Sequence, residues 1–395
     1  MKKELKHCDF QGKRVLIRCD FNVPLDEEGN ITNDIRIKEA LPTIHTILDQ
    51  GGSVILMSHL GRPKGEPNTK YSLEPVAKRL ANLLSKEVVF ADEDEVVNER
   101  VVESANRMIP GEVMLLQNTR FRKEETENGE AFARSLASLG DIFINDAFGT
   151  THRSHASNVG VAKFLPSAAG LLIGKELEAI GSALTNPKRP LTAILGGAKV
   201  SDKIGVIENL LNIADNLLIG GGMAYTFLKA KGYPVGKSLL EIDKVALAEA
   251  LMKKAEETGT NLLLPLDFKA TKEFLDTDDF KVVDYDKIPE DCMGLDIGDK
   301  TITLFGAAIE DSGTIIWNGP MGVFEFDNFC QGTNEIAQKI ADSGAISIIG
   351  GGDSAAAVEK AGLSQKMTHI STGGGASLEF MEGKILPGIE AIEDL

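Results

Sequence analysis

The sequence predicts an α/β protein built from two doubly wound, Rossmann-like parallel-sheet domains that are joined by a long helix and a hinge. Nine short apolar runs recur along the 395 residues, and each is followed by a polar or glycine-rich loop. Short buried runs that alternate with helix-like stretches are typical of parallel strands covered on both faces. Four runs precede residues 164–190 and five follow them, so we predict two separate sheets.

The predicted strands of the first half are RVLIRCDF, GSVILMSHLG, VMLLQNTRF and DIFINDAFG. Those of the second half are LTAILGG, NLLIGGG, NLLLPLDF, TIIWNGP and ISIIGGGDS. Ligands of open α/β sheets bind outside the carboxyl ends of the strands, and the polar residues of this chain cluster at those ends. The acidic segment 276–286 is expected to be a solvated loop or a sheet edge.

A connecting helix is predicted between the two halves. Apolar residues at helical spacing follow Pro166, and a cluster of asparagine and proline at 186–190 ends the pattern. We therefore predict a first domain over residues 1–170, the connecting helix over 171–189, and a second domain over 190–379.

Arginine and glycine are distributed unequally between the halves. All 12 arginines precede residue 190, whereas 26 of the 40 glycines lie at or after it. The guanidinium fork matches phosphate and carboxylate oxygens, and glycine clusters let backbone N–H groups approach a phosphate. The first half is therefore suited to a small polyanion and the second to a nucleotide, with a phosphoryl group moving between them.

Composition excludes several other classes. A net charge of −17 and a pI of about 4.9 argue against nonspecific binding to nucleic acid or to an anionic membrane. Four cysteines without CxxC spacing indicate a reducing compartment, with no disulfide framework and no zinc site. The start MKKELKHCDF lacks the apolar stretch of a signal peptide, and no apolar run approaches the ~18 residues of a membrane-spanning helix. We expect a cytoplasmic monomer that binds small molecules.

Four strand ends of the first half carry cationic side chains. A single arginine there is usually a solvated or ion-paired surface residue. Several guanidiniums at neighbouring strand ends would repel each other unless an anion joined them, so their recurrence favours an anion site. The HRSH segment lacks zinc-ligand spacing, and the three histidines at these strand ends could be hydrogen-bonded structural groups. The candidates are Asp20, Asn22, Arg36, His59, Arg62, Arg120, Arg122, His152, Arg153 and His155.

Glycine clusters follow the strands of the second half. GGAKVSDKI places Lys199 and Lys203 four residues apart, which predicts that both ammonium groups share one face of a helix with an anion-binding start. WNGPMGVFE offers the carboxylate of Glu325 to a ribose, STGGGAS offers free N–H groups, and GGGDS sets Asp353 where it could hold Mg²⁺. One glycine triplet is more often a tight turn, and a lysine pair is more often solvated. Several such clusters in one domain favour a nucleotide site.

These segments together resemble the phosphoglycerate kinase family. The resemblance covers essentially the whole chain, in the order RVLIRCDFNVPL, SHLGRP, NTRF, NDAFGTTHRSHAS, LGGAKVSDKI, IGGGMAYTFLKA, GLDIG, WNGPMGVFE, GGGDS, STGGGASLEF and LPGI. The departures are small: Cys19 stands where the family usually has an aliphatic residue, Thr151 and Ser154 vary one motif, and Ser354 occupies a Ser/Thr position. None of them changes a charged candidate.

The resemblance implies reversible Mg²⁺-dependent phosphoryl transfer between 1,3-bisphosphoglycerate and ADP, which gives 3-phosphoglycerate and ATP. It also implies that residues 380–395 pack back on the first domain. The residues implied for phosphoglycerate are Asp20, Phe21, Asn22, Arg36, His59, Leu60, Gly61, Arg62, Arg120 and Arg153. Those implied for the nucleotide are Lys199, Lys203, Gly294, Asn318, Glu325, Gly351, Gly352, Asp353 and Ser354, with Asp353 also holding the metal.

The implied reaction needs no general base, because its nucleophile is an anion at pH 7 in either direction. Catalysis would come from alignment and charge stabilisation. We expect Arg36 and Lys199 to contact the transferring group, and the N–H groups of Gly373 and Gly374 to be further donors. Two ligands on two domains also predict hinge closure.

Two other classes remain as alternatives. A nicotinamide-dependent dehydrogenase would need a GxGxxG fingerprint, and GGGMAY lacks its last glycine. The P-loop motif GxxxxGK[ST], a different signature of nucleotide binding, is also absent, because GYPVGKS is one residue short. A non-catalytic nucleotide-binding regulator is disfavoured because Arg36, Lys199, Lys203 and Asp353 are all present.

Overall fold

The computed structural model describes residues 2–395 and divides them into two compact units. Unit 1 comprises the chain up to Leu177 together with Ile385–Leu395, and unit 2 comprises Glu178–Lys384. Within residues 2–395 no helix is both long and apolar enough to cross a bilayer.

The first part of the chain alternates strands and helices. Its elements are β1 (Arg14–Arg18), α1 (Ile35–Asp49), β2 (Ser53–Met57), α2 (Glu74–Leu84), β3 (Val88–Ala91), α3 (Glu99–Asn106), β4 (Val113–Leu116), α4 (Lys123–Thr126), α5 (Glu130–Ala137), β5 (Ile142–Asn145), β6 (Ser167–Ala169) and α6 (Leu171–Thr185).

The second part repeats the alternation. Its elements are β7 (Leu191–Leu195), α7 (Ile204–Leu210), β8 (Asn216–Ile219), α8 (Ala224–Ala230), α9 (Val245–Thr258), β9 (Asn261–Leu263), β10 (Asp267–Thr271), β11 (Lys281–Asp284), β12 (Met293–Ile297), α10 (Asp299–Glu310), β13 (Thr314–Asn318), α11 (Gln331–Asp342), β14 (Ile346–Gly350), α12 (Gly352–Lys360), β15 (His369–Ile370), α13 (Gly375–Met381) and α14 (Pro387–Glu390).

Unit 1 contains a six-stranded parallel sheet in the order β3-β4-β2-β1-β5-β6. Alternate residues of β1 enter different cores: Val15 and Ile17 pack on one face of the sheet and Leu16 on the other. Because both faces are buried, the strands read as continuous apolar runs. From β1 the chain continues to β2 on one side and later returns to β5 on the other, which opens a crevice at the carboxyl end of β1.

Unit 2 contains a second six-stranded parallel sheet, in the different strand order β15-β14-β13-β7-β8-β9. The central strand β7 lies between β8 and β13, so its carboxyl end is again a switch point. Ile194, Leu218, Ile315 and Trp317 fill one core beneath the sheet. The predicted fold of two doubly wound parallel sheets is confirmed.

A third sheet of three antiparallel strands, β11-β10-β12, also belongs to unit 2 and was not predicted. The acidic segment supplies β11, which is one of the two outer strands, so its interpretation as a sheet edge is correct. The edge strands β3, β6 and β15 were also missed. They are short, and β3 exposes Val89 by 47%.

The helix predicted between the halves is α6, which ends at Thr185, four residues before the predicted limit of 189. The chain then turns through Pro187 and Pro190, which cannot continue the helix.

The C-terminal segment is bonded to unit 1. The backbone N–H of Lys3 donates to the Glu393 carbonyl (2.9 Å), and the Asn145 side-chain amide donates to the Gly388 carbonyl (3.0 Å).

Candidate active site

The loop after β1 is held by its neighbours in unit 1. Arg36, from the first turn of α1, pairs with Asp20 at an Nη1–Oδ2 distance of 2.5 Å. The Asn22 side-chain oxygen accepts a hydrogen bond from the Gly61 N–H (2.8 Å), which joins the loops after β1 and β2. The N–H of the buried Phe21 donates to the Ser58 hydroxyl (2.8 Å). These residues of the predicted anion site therefore lie together at the carboxyl end of the sheet.

A fully buried arginine lies behind this loop and was missed as a candidate. Arg18 ends β1 and is 0% exposed. Its Nε donates to the Ser157 hydroxyl (2.7 Å). Its Nη2 lies 3.1 Å from His59 Nδ1 and 4.0 Å from a Glu125 carboxylate oxygen. A buried guanidinium requires such partners. The sequence signal was an arginine directly after the apolar residues of a strand.

Arg120 brings a third guanidinium to the same end of the sheet. Its Nη1 donates to the Gly61 carbonyl (2.8 Å). Its Nε is buried and has no hydrogen-bond acceptor within residues 2–395. Burial, together with the charges of Arg18 and Arg153, lowers the pKa of Arg120 to about 10. An anion at this end of the sheet would supply the missing acceptor and offset the repulsion between the cations.

The two buried histidines of unit 1 are neutral. Burial first, and then the neighbouring arginines, hold the pKa of His59 well below its ordinary value. The same causes lower the pKa of His155 to about 3, although its Nδ1 lies 3.7 Å from the Glu125 carboxylate. At pH 7 these imidazoles act as hydrogen-bonding groups rather than as cations.

The remaining arginine candidates are more exposed. Arg153 is exposed, and its Nε lies 3.1 Å from His152 Nε2. Arg62 is exposed directly after Gly61, and Leu60 before it is buried. Arg122 instead forms a surface ion pair with Glu124 (2.6 Å).

In unit 2, a buried lysine joins the ends of two central strands. Lys203 is 9% exposed, and its Nζ donates to the carbonyl (2.8 Å) and side-chain oxygen (2.5 Å) of Asn318, the last residue of β13. Burial lowers its pKa to about 8, although Asp353 and Asp202 act in the opposite direction. A buried ammonium without a paired carboxylate is suited to a phosphate ligand.

Glycines leave room around this lysine. Gly319 has φ +99°, and a Cβ there would lie 2.6 Å from Lys203 Nζ, so both the conformation and the space require glycine. Its N–H donates to the buried Ser354 hydroxyl (2.6 Å). Gly351, with φ +87°, starts α12 beside the Asn318 amide. The loops after β13 and β14 therefore converge on Lys203.

Asp353 lies exposed in the first turn of α12, after Gly352. Its charge raises the pKa of Lys203, which indicates that the two side chains are electrostatic neighbours. Residues 2–395 contain no group of three or more histidine, cysteine, aspartate or glutamate side chains that could hold a metal without other ligands.

One prediction about the lysine pair was wrong. Helix α7 begins at Ile204, so Lys199 and Lys203 lie in the preceding turn and do not share a helix face. The turn is held by Glu241, which accepts hydrogen bonds from the N–H (3.1 Å) and hydroxyl (2.5 Å) of Ser201. Lys199 is exposed, whereas Lys203 points to Asn318.

The other nucleotide candidates lie on separate elements of unit 2. Gly294 lies in β12, where a Cβ would clash with the hydroxyl of Tyr225 at 2.0 Å. Glu325 is exposed in the loop after β13. Gly374 precedes α13 with φ +53°, and the Gly373 N–H donates to the Ser371 hydroxyl (3.2 Å), with which a ligand would have to compete.

A family model for phosphoglycerate kinase matches residues 5–384. The chain belongs to the phosphoglycerate kinase family. It is 56% identical over 393 residues to the phosphoglycerate kinase of Finegoldia magna, with 100% of this chain and 99% of the relative covered. It is 58% identical over 395 residues to that of Clostridium botulinum strain Kyoto, with the same coverage.

Solved phosphoglycerate kinases share the fold. The structure from Coxiella burnetii matches with a TM-score of 0.91 and 43% identity over 99% of this chain and 98% of that one. The structure from Pyrococcus horikoshii OT3 matches with a TM-score of 0.84 and 34% identity over 98% of both chains. Like the family, this chain is a kinase that transfers a phosphoryl group to the carboxyl group of 3-phosphoglycerate, a step of glycolysis.

Proposed function

We propose that unit 1 binds phosphoglycerate through the cluster around Arg120. The observation that carries this proposal is the buried Nε of Arg120, a donor without an acceptor among two neutral histidines and several guanidiniums. A phosphate or carboxylate oxygen would satisfy that donor. The full set is Asp20, Phe21, Asn22, Arg36, His59, Leu60, Gly61, Arg62, Arg120 and Arg153.

We propose that unit 2 binds ATP or ADP around Lys203. A buried ammonium with a lowered pKa, held between glycine-lined loops, gains most from a polyanion that restores its charge. The full set is Lys199, Lys203, Gly294, Asn318, Glu325 and Gly351 to Ser354.

We infer that Asp353 holds Mg²⁺. The residues present fit this ion, because Mg²⁺ is usually bound through one or two carboxylates, with phosphates and water completing its shell. The exposed Asp353 beside Lys203 can supply one such carboxylate. When bound, the ion would neutralise charge on the nucleotide phosphates.

The mechanism we propose uses cations and alignment. The attacking carboxylate of 3-phosphoglycerate is already ionised at pH 7, so no side chain needs to remove a proton. Neutral His59 agrees with this, since it can hold a hydrogen bond without adding charge. Arg36 and Lys199 would contact the transferring group in the transition state, and the N–H groups of Gly373 and Gly374 would add donors.

If each unit holds one ligand, transfer requires the two ligands to meet. We therefore propose that binding of both ligands closes a hinge that includes α6. A decrease in the radius of gyration by solution scattering, seen only when both ligands are present, is the expected result. An unchanged radius would contradict closure.

We also propose that the enzyme is a cytoplasmic monomer. Its four unpaired cysteines and strongly acidic balance support this. Light scattering coupled to gel filtration should give the monomer mass of about 42.4 kDa, and a larger mass would refute it.

Binding calorimetry tests the division of ligands. Arg120→Met should weaken 3-phosphoglycerate binding by tenfold or more, on the order of 1.5–3 kcal/mol for a charge-assisted hydrogen bond, and leave ADP binding unchanged. Lys203→Met should weaken ADP binding and leave 3-phosphoglycerate binding unchanged. Arg122→Met is the matched control, because Arg122 is only two residues away and is paired with Glu124. If Arg120→Met and Arg122→Met bind both ligands equally well, the assignment fails.

A further inference from the structure

The segment that carries Glu325 is fastened on its N-terminal side. The Met321 N–H donates to the Thr333 hydroxyl (3.0 Å), and the Val323 N–H donates to the Leu295 carbonyl in β12 (2.8 Å). Glu325 itself is exposed two residues later. Its direction therefore depends on what holds the chain that follows it.

Asp276 holds the following chain, the 3₁₀ turn Asp327–Phe329. One carboxylate oxygen accepts the Asp327 N–H (3.0 Å), and the other accepts the N–H (3.1 Å) and side-chain amide (2.8 Å) of Asn328. Asp276 comes from the loop between β10 and β11, 51 residues away along the chain. These hydrogen bonds, chiefly that from the Asn328 side chain, lower the pKa of Asp276, so the carboxylate is ionised at neutral pH.

Further contacts hold this turn and the residue before it. Lys269 of β10 donates from Nζ to the Asn328 carbonyl (3.0 Å). Phe274, from the same loop as Asp276, packs on Phe326 with 5.2 Å between ring centroids. Phe326 follows Glu325 directly, so the loop between β10 and β11 contacts the chain beside Glu325 through the ring of Phe274 and the carboxylate of Asp276.

We propose that Asp276 is a positioning residue for the nucleotide: by fixing the turn Asp327–Phe329, it aims Glu325 at the ribose. The inference rests on the proposed role of Glu325. A carboxylate that is ordered before binding loses less conformational freedom when its ligand arrives. Because Asp276 acts through Glu325 alone, its loss changes nucleotide affinity and leaves both the KM for 3-phosphoglycerate and the kcat unchanged.

The test compares full-length variants by KM for ATP and by calorimetry with MgADP. Asp276→Ala should weaken nucleotide binding about threefold to tenfold, as expected for charge-assisted bonds at an exposed site. Asp276→Asn keeps one side-chain oxygen as an acceptor and should weaken binding less. Asp279→Ala removes an equal charge from the same exposed loop and should bind the nucleotide like the wild type.

The second half of the test places Asp276→Ala in a Glu325→Gln background. Glu325→Gln should itself weaken nucleotide binding, and adding Asp276→Ala should then have no further effect. If Glu325→Gln alone binds normally, the proposed role of Glu325 fails, and the inference fails with it. If Glu325→Gln weakens binding but Asp276→Ala acts with equal strength in both backgrounds, or has no effect in either, only the inference is overturned.

Discussion

Nucleotide binding should be accompanied by proton uptake at Lys203. In the free enzyme burial lowers the pKa of Lys203 to about 8, from an ordinary value of 10.5. Its Nζ donates to the carbonyl and side-chain oxygens of Asn318, at 2.8 and 2.5 Å. Phosphate oxygens placed beside the ammonium favour its charged form and would return the pKa toward its ordinary value.

The size of the effect follows from the free pKa. At pH 8 about half of the Lys203 side chains are neutral, so binding should take up about 0.5 proton per nucleotide, and about 0.1 at pH 7. Because binding raises the pKa of Lys203, the nucleotide prefers the protonated lysine, and affinity is highest at pH values below the pKa of the free enzyme. Affinity then falls as pH increases through 8, by up to about tenfold per pH unit.

Calorimetry of MgADP binding at pH 8 in two buffers with different ionisation enthalpies measures the proton number. Lys203→Arg is the matched variant, because a guanidinium stays charged throughout this pH range and should abolish the uptake. Zero uptake by the wild type, or equal uptake by Lys203→Arg, would refute the assignment of Lys203 to the phosphates.

Two further predictions concern unit 1. Because the pKa of His155 is about 3 in the folded protein, the free energy of unfolding should fall by about 1.4 kcal/mol per pH unit as the pH decreases below 6.5. His155→Leu should reduce this slope in urea denaturation measured over a series of pH values, and an unchanged slope would contradict the prediction. Arg18→Met leaves Glu125 buried without its cation and should lower the free energy of unfolding by about 3–5 kcal/mol, which would appear as faster hydrogen exchange of the β1 amides. The control Arg100→Met removes a side chain that is 85% exposed and should leave stability almost unchanged. Normal β1 protection in Arg18→Met would show that the network is not needed for stability.

The interior parallel strands could be predicted because burial on both faces makes each of them a continuous apolar run. Strands β10 to β12 lack that signature, since they belong to a small antiparallel sheet and carry polar residues such as Lys269 and Asp267. Strand β15 has only two residues, too few for any periodic pattern. The predicted strands are therefore the interior strands of the two large sheets together with one edge strand, β9.

The candidate residues were found where chemistry and strand ends coincide, and missed where the partners are distant in sequence. Arg18 bonds to Ser157, 139 residues away, and this partner cannot be inferred from the residues next to Arg18 in the sequence. The helix expected at Lys199 starts later because Ser201 is bonded to Glu241, 40 residues away. Local spacing could not reveal either contact.

In the proposed mechanism, cations on both units stabilise the transferring phosphoryl group. A coupled assay with saturating MgATP and 3-phosphoglycerate, run on Arg36→Ala and Lys199→Ala, measures their contribution. Each variant should lose on the order of 10²–10³ in kcat, as for the loss of one preorganised donor. The exposed Arg100→Ala and Lys188→Ala are the matched controls and should turn over like the wild type. Near-normal kcat in Arg36→Ala or Lys199→Ala would contradict the claim.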